Sequence, residues 1–203
     1  MAFSEASVPV RSDLAAALRQ VWASLAAPGT WWSGVERVAI AGAARGQATD
    51  VIPASAGAAA RTVYADITAT SRDWVDNLIQ DGLGIPAFIE IIGIVSRLAA
   101  VDEFSRALGQ SVEPLPDPLP GDPSFEPAPP ARPGRSWLPT AGPASITQSL
   151  SLVPAESAAQ EDLHGPLYLT YEQMGDLRFR RELTRPQMEL VAARVSAVNE
   201  CFY

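Results

Sequence analysis

Eleven of the chain's 18 prolines fall between residues 110 and 143, in runs such as Pro114-Leu-Pro-Asp-Pro-Leu-Pro120 and Pro127-Ala-Pro-Pro130. Each proline fixes its own φ, lacks an N–H to donate and pushes the residue before it out of the helical region. At this density neither helix nor sheet can form, so the tract reads as an extended, polyproline-like linker, docked on the surface through Trp137. The 203-residue chain is thereby divided into residues 11–109, the linker 110–143 and residues 144–203.

Both flanking segments carry helical patterns, and the expected fold is all-α. Ser12 is a suitable N-cap ahead of Leu14, Leu18, Val21, Trp22 and Leu25, which share one face, and Pro28-Gly29 stops that helix. Ser33-Gly-Val-Glu36 is a capping box that opens a second helix to about Arg45. Residues 47–68 show no clear period. Ser71 caps a short helix through Ile79, closed by Asp81-Gly82, and Pro86 opens a long apolar helix that Gly109 ends. Beyond the linker, short helices are predicted over 145–152, 156–164 and 166–174. A second capping box, Thr184-Arg-Pro-Gln187, opens an apolar helix from Met188 to Val198, with Asn199 as a left-handed stop.

Composition narrows the chemistry. The net charge of −8 leaves no basic face for nucleic acid or for an anionic membrane surface. The first residues have no basic and apolar leader, and the most apolar stretch, Ile85 to Val101, carries Glu90 and Arg97, so a cytoplasmic location is expected. All 15 basic residues are arginine, which excludes lysine Schiff bases and P-loop lysines. One histidine, His164, excludes multi-histidine metal sites, and the acidic residues show no metal-ligand spacing; no metal or cofactor is expected. His164 reads as a surface-loop residue, and Trp31 and Trp32 as packing residues. The lone Cys201 cannot form an internal disulfide.

Chemistry concentrates near Cys201. Glu189 precedes it by twelve positions, with an apolar helix and a turn between them. A cysteine opening the next helix would be stabilised as thiolate by exposed amides and the helix dipole, and a reversal at Asn199 would return Glu189 towards the sulfur. Glu189 lies past the first helical turn, so capping does not account for it, whereas Glu36 sits at the capping-box position of its own helix.

This segment resembles the alkylhydroperoxidase D-like (carboxymuconolactone decarboxylase) family, whose motif is Glu, eleven residues, Cys-x-x-Cys, three residues, His. Glu189, Cys201 and the approach Leu183-Thr-Arg-Pro-Gln-Met match it, as do the stretches Pro28–Ile40 and Glu90–Gly109 for the amino-terminal part of two-repeat members. Glu36, Val38, Ala39 and Ala44 echo Glu189, Val191, Ala192 and Ala197, consistent with a degenerate first repeat. The resemblance implies a homo-oligomeric oxidoreductase that reduces hydroperoxides with a dithiol donor. Glu189 would be the acid/base carboxylate and Cys201 the resolving thiol, with the peroxidatic residue at position 204 and the histidine at 208. A decarboxylase-type lyase on the same fold and a non-catalytic helical module are the competing readings; Cys201 at the motif position speaks against the lyase.

The family places its peroxidatic residue immediately after Tyr203. Selenocysteine suits that role, because a selenol ionises more readily than a thiol and the anion attacks the peroxide. On this reading the coding DNA has an in-frame UGA, three codons, a histidine and roughly 50–75 residues of further helical sequence in all; a genuine stop, a frameshift and a fragment boundary are the alternatives. DNA sequencing decides it, and UAA or UAG at that codon would sink the expectation.

Overall fold

A computed structural model describes residues 8–134, 136–142 and 148–199. Its regular structure is helical; the one β-type pairing among the described residues is an isolated antiparallel bridge between Arg132 and Thr140. The helices are α1 (Ser12–Ala26), α2 (Gly34–Ala44), α3 (Ala54–Ala65), α4 (Arg72–Gln80), α5 (Ile85–Ala107), α6 (Pro154–Leu167), α7 (Tyr171–Met174) and α8 (Arg185–Val198). A single 3₁₀ turn, Ile67–Ala69, follows α3.

Local chemistry explains most of the helix ends. Ser33 and Glu36 form the expected reciprocal cap of α2, and Thr184 and Gln187 that of α8. Ser71 accepts from the Trp74 N–H at the start of α4, and Gly82 and Gly109 take the positive φ values that end α4 and α5. Four expectations change. Of the short helix expected over 145–152, residues 145–147 lie outside the described residues and 148–152 form turns. Ser12 is the first helical residue, and Arg11 is the N-cap. Asn199 closes α8 with φ −88°, not in the left-handed region. The separate helices expected over 156–164 and 166–174 are the continuous α6, which runs through Pro166, and the short α7.

The helix that sequence periodicity missed is α3. Alanine is the strongest helix former yet gives little hydropathy contrast between faces. In α3, Ala56, Gly57, Ala59 and Ala60 are buried, and these small residues let α2 and α5 pack against it. The core gathers Ile40, Ala44, Phe88, Ile91, Ile94 and Leu98 around this contact, with Trp32 buried at its edge and Trp31 packed against it. Apolar on most of its circumference, α5 also buries Glu90, Arg97 and Asp102.

Residues 110–134 form no helix, and they strap the first helices together. The strap's Leu119 N–H donates to the Ala26 carbonyl (2.8 Å), Ser124 to Gly29 (3.0 Å) and Phe125 to Thr30 (2.9 Å). From the helices, Trp22 Nε1 donates to the Pro114 carbonyl (3.0 Å) and Arg45 Nη1 to that of Glu113 (2.8 Å). Trp137, the expected docking residue, is 43% exposed; its carbonyl accepts from Arg72. A proline-rich chain can still be held when some of its remaining N–H groups and carbonyls are paired in this way.

The chain forms two compact units, residues 1–163 and 164–203, so the proline-rich tract belongs to the first and the division falls within α6.

Candidate functional site

Glu189 is the fifth residue of α8, one turn beyond its capping box. Its side chain is 48% exposed, and Oε1 accepts two hydrogen bonds, from the Tyr168 hydroxyl (2.7 Å) and from Arg185 Nε (2.5 Å). These donors, the phenol first and then the guanidinium, hold the Glu189 carboxyl below the usual glutamate range. The phenol moves the other way: burial, then its bond to Glu189, pushes Tyr168 above the ordinary tyrosine value. Glu189 therefore keeps its negative charge until the pH falls below the usual glutamate range.

Both donors are fixed by their own partners. Arg185 Nη1 donates to the carbonyls of Gln173 and Asp176 (3.1 Å each) and Nη2 to that of Met174 (3.1 Å), so the guanidinium caps the end of α7. Tyr168 follows α6; its N–H donates to the His164 carbonyl (2.8 Å), and its ring stands edge-on to the His164 ring at 5.7 Å. His164, expected in a surface loop, lies within α6, half-buried between Tyr168 and Tyr171, the latter 5.6 Å away. Its Nδ1 is buried with no hydrogen-bond partner. The chain's one histidine and the candidate carboxylate thus flank the same tyrosine. Sequence reasoning missed Tyr168 because it lies 21 residues from Glu189 with no local pattern joining them.

Cys201 lies outside the described residues, as does the reversal expected to bring it towards Glu189. Glu36 is a capping residue: its Oε2 accepts from the Ser33 N–H at 2.8 Å. The two carboxylates are consequently not equivalent in their helices, since Glu36 is the third residue of α2 and Glu189 the fifth of α8. When the caps are aligned, Gln187 matches Glu36, Met188 matches Arg37, and Val38 takes the place of Glu189. The echo read from the sequence is thus offset by two residues from the register of the caps. Val38 lines an open groove of about 640 Å³ between α2 and the strap, in which Arg45 is already committed to Asp102 and Glu113.

The strongest cluster of charge lies elsewhere, in the first unit, and is sealed. Arg37 Nη1 bonds both Glu90 and Glu156 (2.9 Å to the latter), and Arg97 pairs with the other oxygen of Glu156. Glu90 Oε2 accepts from the N–H groups of Thr30 (3.1 Å) and Trp31 (2.7 Å). Burial pushes the Glu90 carboxyl upward against the pull of Arg37. Glu90 is wholly buried, and its partners are nearly so, which leaves no approach for a substrate. The sequence signal was present, since Glu90 and Arg97 interrupt an apolar run at helical spacing. Among the described residues no group of three histidine, cysteine or acidic side chains is arranged to hold a metal ion. No helix of the described residues is long and apolar enough to cross a membrane.

No family model, curated protein or solved structure matches this chain.

Proposed function

We propose that this chain belongs to the alkylhydroperoxidase D-like fold and contributes Glu189 and Cys201 to thiol-dependent reduction of hydroperoxides by a dithiol. The supporting observation is the carboxylate of Glu189, held ionised and oriented at the surface of α8 by Tyr168 and Arg185, twelve residues before the only thiol. In this reading the peroxidatic centre attacks the O–O bond; one oxygen stays on that centre and the other leaves as alcohol. The Cys201 thiolate then attacks the oxidised centre, water departs, and the resulting disulfide or selenenylsulfide is reduced by the dithiol donor. Glu189 accepts the thiol proton and returns it to the departing oxygen.

The test is hydroperoxide consumption driven by a dithiol, assayed on the protein as its own cells make it, with any residues that follow Tyr203 in place. Turnover is expected to fall about 10²-fold in Glu189→Gln and to vanish in Cys201→Ser. Turnover unchanged in both variants would overturn the assignment. The 203 residues carry one thiol and closure of the disulfide takes two centres, so this segment alone should form mixed disulfides at Cys201 without sustained turnover.

A further inference from the structure

We infer that Tyr168 is a positioning residue for Glu189: with Arg185 it occupies Oε1, so that Oε2 is the carboxylate oxygen left to exchange protons. This rests on the acid/base role proposed for Glu189. The geometry is specific. Both donors converge on one oxygen, at 2.7 and 2.5 Å, and no donor among the described residues reaches the other. A carboxylate gripped at one oxygen by two donors cannot rotate to exchange its oxygens without breaking both bonds, so the second oxygen faces a fixed direction.

Tyr168 is built to hold this position. Its backbone is tied to α6 through the His164 carbonyl, its ring is set against the His164 ring at an interplanar angle of 89°, and the hydroxyl reaches α8. Arg185 alone would grip the same oxygen, but it also holds three carbonyls at the end of α7 and so reports on the local fold as a whole. Removing the phenolic oxygen leaves that framework in place. The charged and titratable groups facing the pair are Arg185 from α8, and His164 from α6 and Tyr171 from α7 on the far side of the Tyr168 ring. The bond is the first cause that lowers the carboxyl and, after burial, the second that raises the phenol, so it acts on the two groups in opposite directions.

The experiment is a pair of titrations on the 203-residue chain. Carboxyl-¹³C glutamate labelling follows Glu189, whose signal is identified by its loss in Glu189→Gln; absorbance difference follows the tyrosines. In Tyr168→Phe the Glu189 midpoint should move to higher pH, and in Glu189→Gln the Tyr168 midpoint should move to lower pH, with far-ultraviolet dichroism unchanged. In the turnover assay the acid limb of the Tyr168→Phe profile should move to higher pH by the same amount as the carboxyl midpoint. Should Tyr168→Phe fail to fold, the tyrosine titration in Glu189→Gln decides alone. Unmoved midpoints overturn the lock even if turnover depends on Glu189. Midpoints that move while turnover ignores Glu189→Gln overturn the acid/base role and with it the positioning function.

Discussion

Glu156→Ala should be the most damaging single substitution in the first unit, with a loss of roughly 3–5 kcal/mol in unfolding free energy. Glu156 is 3% exposed and its two oxygens serve two arginines, Arg37 and Arg97, on different helices. Truncation leaves Arg97 buried with no carboxylate, its Nη1 still on the residue 156 carbonyl, and leaves Arg37 with the Glu90 carboxylate and the Ser24 carbonyl. A loss of that size is a large fraction of the ~5–15 kcal/mol that separates folded from unfolded domains. Urea unfolding followed by circular dichroism measures it. The companion experiment replaces Arg97 and Glu156 together with apolar residues of similar volume. Because an intact buried pair itself carries a large desolvation penalty, the double variant should recover much of the loss. A single-variant loss below about 1 kcal/mol, the range of exposed pairs, would mean that water reaches the cluster in solution.

Gly29→Ala should rank next, at about 3 kcal/mol. A β-carbon there would land on the Glu90 carboxylate and against Arg37 Nη1. The turn between α1 and α2 cannot yield, because the Gly29 N–H donates to Trp32, the Gly29 carbonyl accepts from the strap and the next two N–H groups hold Glu90. Accommodation therefore has to come from the ion pair. The decisive measurement is a double-mutant cycle: in a Glu90→Ala background, the additional cost of Gly29→Ala should largely disappear. Additive losses would show that the glycine is needed for another reason. Gly93 stands in the same relation to Glu156, and its substitution offers a parallel check.

The sequence by itself determined what depends on neighbours three or four residues apart. The capping boxes at Ser33 and Thr184, the stops at Gly82 and Gly109, and the absence of helix through the proline tract were all legible, because each is fixed by a side chain or a φ angle acting on its own backbone. So was the suggestion that Glu189 is not a capping residue. Tertiary structure decided everything carried by distant partners. Arg37 meets Glu90 across 53 positions and Glu156 across 119, and no local rule pairs those residues rather than others. The tract became a strap because Ala26, Gly29 and Thr30 present carbonyls where its few N–H groups pass. The alanines of α3 gained their packed faces only when α2 and α5 closed on them. His164 left its expected loop because α6 continues through Pro166, which carries Tyr168 to the carboxylate of Glu189. Helix ends are local events, whereas charge pairing and burial are settled only when the chain collapses and each polar group must find a partner or stay in water.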